Sequence, residues 1–190
     1  MKIILASGSP RRRELMEEAG IPFEIVVSDA DETITGEPQE QVRALAIRKA
    51  KAVRPLVESE AIIVAADTLV AAGGQVLSKP VDEQEAFEML KMLEAQGHTV
   101  YTGVALIKTG GAEDELLSFV EGTDVFFRPI SDDEINAYIA TGEPFDKAGG
   151  YGIQEGAGCF VERIYGEYTT VVGLPMPQLI CALRKLGFQM

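Results

Sequence analysis

Lys2-Ile3-Ile4-Leu5-Ala6-Ser7-Gly8-Ser9-Pro10-Arg11-Arg12-Arg13-Glu14-Leu15-Met16 opens the chain, and the fold is read outward from it. Lys2 to Ala6 is a short apolar run of strand type, and Ser7-Gly8 is a turn. Ser9 is a helix N-cap, Pro10 the first helical residue, and Gly20 the C-cap. A helix N-terminus carries positive partial charge and free N–H groups, which favour Asp or Glu there. Three arginines stand there instead. They oppose the local field unless an anion arrives, and a strand–turn–helix N-terminus is a ready-made phosphate site. The competing reading is a solvated basic patch answered by Glu14, Glu17 and Glu18.

The same punctuation continues along the chain. Phe23 to Val27 reads as a strand ending in the acidic turn Ser28-Asp29-Ala30-Asp31-Glu32-Thr33. Pro38 to Arg54 reads as a helix, with Val42, Leu45, Ala46, Lys49 and Val53 at spacings of three and four. Ala61 to Ala66 is a buried-type strand that runs into Asp67-Thr68. A Gly73-Gly74 turn leads to Val76-Leu77 and Ser78-Lys79-Pro80. Asp82 with Glu85, and Ser131 with Glu134, have capping-box spacing for two further helices, the first to about Ala95 and the second to Gly142. Thr99 to Lys108 and Leu116 to Phe127 read as long strands joined through Gly110-Gly111. Strands are also expected near Phe160–Ile164 and Thr169–Val172, and a last helix over about Met176 to Leu186. Alternating strands and helices make this an α/β chain with a mixed, twisted sheet and flanking helices. No repeat or linker divides it, so residues 1–190 are expected to form a single domain.

Of the 190 residues, 46% are hydrophobic and 25% charged, ordinary values for a globular protein. The net charge of -13 argues against general binding to nucleic acid or an anionic membrane. Cations that serve an anionic substrate must therefore be concentrated in one place. No stretch approaches the roughly 20 apolar residues of a membrane span. The chain enters a strand directly, without the basic region and apolar run of a secretory leader, so a cytoplasmic location is expected. Cys159 and Cys181 belong to no zinc pattern and read as buried, reduced thiols.

Asp67 is the leading candidate for a catalytic carboxylate. It follows the apolar run Ile62 to Ala66, at the carboxyl end of a strand, the edge where ligands collect on α/β sheets. There it can hold a divalent cation, act as base to a water, or simply cap the following turn. Glu32 closes a cluster of carboxylates that repel one another unless a cation sits among them. Lys51 shares a helix with Arg48, Lys49 and Arg54, where most lysines are surface charges. Lys79 precedes Pro80 and is biased towards an extended loop backbone. Either lysine can serve as a point charge on a phosphate oxygen. Phe145 to Gln154 combines flexible glycine backbone with Tyr151 and a carboxamide suited to the edge of a nucleobase. With Glu155 at the third glycine position it is not a dinucleotide-binding fingerprint. His98 is the lone histidine, which leaves hydrolysis to carboxylates, cations and metal.

Together these segments resemble the Maf family of nucleoside triphosphate pyrophosphatases, also called septum formation proteins. The matching stretches are Leu5 to Arg12, Glu32, Lys49-Ala50-Lys51-Ala52, Ala66-Asp67-Thr68, Ser78-Lys79-Pro80, Tyr101-Thr102-Gly103, Asp146 to Gln154 and Gly173-Leu174-Pro175. The resemblance implies a Maf/inosine-triphosphatase-like fold with two lobes around a central cleft. It implies cleavage of a nucleoside triphosphate between its α- and β-phosphates with a divalent cation, Mg²⁺ or Mn²⁺, held by Glu32 and Asp67. Asp67 matches the position of the proton acceptor. Arg11, Thr68 and Gln154 match positions linked to substrate choice. Glu32, Lys51 and Lys79 are expected to join Asp67 in catalysis, and Ser7, Ser9 and Arg12 to join the substrate-binding set. Lys147 to Gln154 is similar to the subgroup acting on dTTP and UTP, with Gly150 where that subgroup often has alanine. Arg13 lies outside the motif and is expected to be solvated, and a homodimer is expected from the resemblance. Two other functions fit the same residues: a nucleotide-binding regulator of cell division, and a house-cleaning pyrophosphatase for modified nucleotides.

Overall fold

The computed structural model describes residues 1–189. Seven strands, β1 (Lys2–Leu5), β2 (Glu24–Ile25), β3 (Ala61–Ala72), β4 (Gln75–Leu77), β5 (Gly97–Lys108), β6 (Glu115–Phe127) and β7 (Val161–Tyr165), form one sheet. The order is β2-β1-β3-β5-β6-β7, with β4 paired to β3. β1 runs parallel to β2 and β3, whereas β3–β4 and β6–β7 are antiparallel, so the sheet is mixed as expected. Among the described residues six α-helices accompany it: α1 (Pro10–Glu18), α2 (Pro38–Val53), α3 (Glu83–Leu93), α4 (Asp132–Ile139), α5 (Tyr168–Val172) and α6 (Met176–Lys185). Among the described residues no helix is long and apolar enough to cross a membrane.

Local chemistry explains most boundaries. Ser9 caps α1, Pro10 occupies its first turn, and Gly20 follows with φ 67°, the left-handed conformation that glycine adopts without penalty. Ser131 and Glu134 form a full capping box on α4. On α3 the box is opened by one residue: Asp82 caps the Glu85 N–H, but the Glu85 carboxylate accepts from the Val81 N–H. Gly73 and Gly74, both with positive φ, turn β3 tightly back into β4.

Three expectations are corrected. Thr169–Val172 is not a strand but the helical turn α5. The Glu167 carboxylate accepts from the Thr169 and Thr170 N–H groups at 3.0 and 2.8 Å, and this cap overrides the β-branched composition. The strand at Phe23–Val27 shrinks to Glu24–Ile25, both exposed beside β1. Cys159 and Cys181 are free thiols but exposed. Cys181 lies on the outward side of α6, whose inward side carries Leu179, Ala182 and Leu183.

The chain divides into two compact units. The first comprises Met1–Asp67, Thr102–Glu121 and the segment from Gly173 onward; the second comprises Thr68–Tyr101 and Gly122–Val172. In the first, Ile4, Ala46, Ala50, Val53, Ile63, Ala65 and Ile107 pack α2 against the sheet. In the second, Leu90, Leu93, Ile135 and Tyr138 pack α3 and α4 around an aromatic group of Phe127, Tyr151 and Phe160.

His98 is buried against that aromatic group. Its ring meets Phe127 and Tyr151 edge-on, and Nε2 lies 2.7 Å from the Tyr151 hydroxyl. Burial pulls the imidazole pKa down to about 4, with Asp124 opposing. Above pH 6.5 neither state binds the proton. As pH falls from 6.5 towards 4, the unfolded chain protonates first and the native state is penalised. The contribution is about 2–3 kcal/mol by pH 4.5. Urea unfolding at pH 7 and pH 4.5 will show a smaller acid loss in His98→Gln than in the parent; equal losses would exclude His98 as its source.

Candidate active site

The N-terminal turn is built as a small hydrogen-bonded knot. Ser7 Oγ accepts from the Ser9 N–H and from Arg12 Nη1, each at 3.2 Å. Arg12 Nε donates to the Gly173 carbonyl at 2.8 Å, which ties α1 to the loop before α6. The Gly173-Leu174-Pro175 motif thereby acquires a purpose: its first carbonyl receives the arginine. Burial lowers the Arg12 pKa, and of its neighbours Asp67 and Glu32 oppose this while Arg11 adds to it. Arg12 thus lies within the electrostatic field of both candidate carboxylates. Arg13 is exposed and pairs with Glu17 one turn on, the solvated role expected of it.

The centre of the first unit's site is a lysine that sequence reasoning passed over. Lys49 Nζ lies 2.7 Å from Asp67 Oδ1 and 3.0 Å from Glu32 Oε1. The Lys49 and Asp67 side chains are only 13% and 12% exposed, whereas Glu32 is 63% exposed. Asp67 therefore provides the buried anchor and Glu32 the solvent-facing partner. Lys51, two residues further along α2 and so about 200° around the helix, is exposed. The signal in the sequence was a charge on an apolar stripe: Lys49 shares its helix face with Val42, Leu45, Ala46 and Val53.

Two devices fix this geometry. Arg48 Nη1 donates to the Asp31 and Thr33 carbonyls, at 3.1 and 2.9 Å, and so brackets the backbone on both sides of Glu32. Asp31 accepts from the Thr33 N–H at 2.9 Å, and hydrogen bonds from Thr33 hold its carboxyl below the ordinary carboxylate range. Towards the start of α2, at Val42, Gly103 lets β5 approach the helix backbone. A Cβ there would overlap the Val42 carbonyl carbon and oxygen. Helix α2, and with it Lys49, is seated directly on the strand.

Thr68, Lys79 and Gln154 lie in the second unit. Thr68 is half-buried in β3, whereas Lys79 and Gln154 are exposed on loops. The Ser78 carbonyl accepts from the Gly149 N–H at 3.0 Å, so the Ser78-Lys79-Pro80 loop is tied to the glycine-rich segment that carries Gln154. Gly149 and Gly150 have φ of 69° and 72°, which is where this segment's glycines are required.

The donor chemistry suits a hard divalent cation. Glu32 and Asp67 already converge on one ammonium, so their oxygens can share one cation. Among the described residues no cluster of three or more His, Cys, Asp or Glu is present. Two carboxylates with the remaining positions left to water and phosphate oxygens is how Mg²⁺ is commonly held.

In the first unit, this α/β protein thus combines a strand–turn–helix N-terminus with a lysine that bridges a buried and an exposed carboxylate. The sequence model of the family described as Maf-like protein matches residues 2–186, and the chain belongs to that family. A Bacillus cereus protein named dTTP/UTP pyrophosphatase is 49% identical over 188 residues, 98% of this chain and 96% of that protein. A protein of the same name from a second Bacillus cereus strain is 50% identical over 98% of this chain and 90% of its own length. One from Bacillus anthracis is 48% identical over 98% and 96%. Among solved structures, the Staphylococcus aureus Ham1 protein aligns over 66% of this chain and 72% of its own. Its TM-score of 0.38 and 15% identity are too low to bear on the fold.

Gly103→Ala will destabilise the protein by about 3 kcal/mol, because the clash is with helix backbone and not with a flexible side chain. A fall in the denaturant midpoint at unchanged slope is expected; a midpoint within error of the parent would show that α2 is not seated on β5 as described.

Proposed function

We propose that this chain is a nucleoside triphosphate pyrophosphatase that hydrolyses dTTP and UTP to the monophosphate and diphosphate. The observation that carries the reading is near-full-length identity of 48–50% to proteins named for that activity. Lys49 with its two carboxylates supports it chemically.

Each residue then has a defined task. Asp67 accepts the proton of the attacking water, and Lys49 orients its carboxylate through the 2.7 Å contact. Lys49 and Arg12 present fixed positive charge to the negative charge that builds on the phosphoryl oxygens during displacement. Arg11, Ser7 and Ser9 line the turn at the α1 N-terminus, where backbone N–H groups favour an anion. Glu32 and Asp67 would hold the divalent cation, Mg²⁺ or Mn²⁺, which supplies charge neutralisation at the phosphate oxygens when bound. Lys79 serves as a further cation for the polyphosphate chain, Thr68 contacts the base or sugar, and Gln154 reads the pyrimidine edge. Lys49 takes the part that was expected of Lys51. A cytoplasmic location and a homodimer accompany this reading, with neither nucleic acid nor membrane as partner.

The test is turnover of dTTP and UTP, followed as nucleoside monophosphate and pyrophosphate, in variants confirmed as folded by thermal melting. Asp67→Asn will lower kcat by roughly 10²–10⁴-fold, the usual contribution of a positioned base. Lys49→Met will lower it by roughly 10²-fold or more, while Lys51→Met stays within about twofold. Near-parent turnover in Asp67→Asn would overturn the assignment of the base, and a severe defect in Lys51→Met that spares Lys49→Met would reverse the lysines. Orthophosphate as the first product would overturn the reaction class.

A further inference from the structure

Among the described residues, Lys147 is the one lysine or arginine buried outright, at 6% exposure. Its ammonium donates to Asp146 Oδ1 and to the Glu143 carbonyl, each at 2.6 Å, and lies 2.7 Å from Glu155 Oε2. Two of its protons go to the Glu143 carbonyl and Asp146, and Glu155 pairs with its charge. All of these partners lie within its own segment, so the role of this lysine is geometric.

Its surroundings show what it holds. A Cβ on Gly152 would lie 2.7 Å from Lys147 Cε and 2.9 Å from Cδ, so the glycine-rich segment is laid directly on the lysine stem. Glu155, one of its partners, immediately follows Gln154. Glu143, whose carbonyl Lys147 engages, uses its own carboxylate to accept from the Gly156 N–H at 3.0 Å. At the other end, a Cβ on Gly149 would lie 3.0 Å from Val70 Cγ2. The stretch from Glu143 to Gly156 is closed on one buried cation. Without that cation the Asp146 and Glu155 carboxylates lose their common partner, and the turn that carries the exposed Gln154 loses this clamp.

We propose that Lys147 is the positioning residue for base selection: it fixes the Gly149–Gln154 turn so that the Gln154 carboxamide is presented in one geometry. The proposal rests on the reading of Gln154 as the residue that meets the pyrimidine. Uracil and cytosine differ in the hydrogen-bonding pattern of that edge, so a carboxamide held in place discriminates them and a loosely held one does not.

The experiment compares Lys147→Met, Lys147→Arg and Gln154→Ala with the parent by two measurements. One is the ratio of kcat/KM for UTP to that for CTP; the other is amide hydrogen exchange along the chain. Lys147→Met is expected to lower the ratio about tenfold or more, chiefly through KM for UTP. It should raise exchange at residues 149–158 about tenfold or more while β1 and α2 amides stay unchanged. Lys147→Arg should recover part of both. A parent-like ratio in Lys147→Met, with or without faster exchange, overturns the proposal, as does loosening spread evenly over the chain. If Lys147→Met does not fold, Glu155→Gln carries the same two measurements and the same expected directions. Gln154→Ala separates the two layers. If it keeps the ratio while Lys147→Met loses both ratio and local protection, the base contact belongs to another residue of the turn and Lys147 still positions it. If Gln154→Ala loses the ratio and the Lys147 variants keep it, the base contact stands and the positioning role falls.

Discussion

The Lys49 ammonium, lodged between Asp67 and Glu32, is the contact on which the first unit's arrangement depends. Asp67 stands on a strand that is apolar apart from the neighbouring Thr68, and a carboxylate buried there needs a cation or donors close by. Lys49 supplies the charge from α2, and the close seat of that helix on Gly103 holds it in reach. Glu32 comes from a loop without regular structure, so its place is set by hydrogen bonds: Arg48 clamps the backbone on either side. Strand, helix and loop meet at one nitrogen atom. Because Glu32 remains largely exposed, its contact with Lys49 is the weaker of the two and the one that solvent screens.

The second unit repeats the device for a different purpose. Lys147 is deeper than Lys49, and its two hydrogen bonds and its ion pair with Glu155 all lie within its own segment. A buried lysine whose acceptors are all local organises a loop. A lysine that bridges a buried carboxylate and an exposed one keeps a face towards solvent. The same residue type therefore serves structure in one place and charge presentation in the other, and burial with partner geometry separates the two.

Much of this was legible in the sequence because it is local. Ser9 and Pro10 announce α1, Ser131 with Glu134 announces α4, and Gly73-Gly74 announces a tight reversal. Each follows from backbone chemistry within a few residues. What was misread depends on neighbours distant in sequence or on which way a helix face turns. Cys181 belongs to a residue type that is usually buried, but its position on α6 faces out. Thr169–Val172 has strand composition, yet a carboxylate two residues upstream caps it into a helical turn. Lys49 is the instructive case. Its spacing with Val42, Leu45, Ala46 and Val53 placed it on the buried face, while its charge argued for the surface. The conflict between period and polarity marked a charge with specific partners, here Asp67 and Glu32.

The arginine run changes meaning in the same way. Arg12 is engaged by Ser7 and Gly173 and stiffens the turn, while Arg13 goes to solvent with Glu17. Whether Lys49 and Asp67 work as one unit is decided most directly by a double-mutant cycle. In it, kcat/KM for UTP is measured in Lys49→Met, Asp67→Asn and the double variant. Acting together, the pair will make the double variant little worse than Asp67→Asn alone, a coupling far outside additivity. Losses that simply multiply would contradict the account.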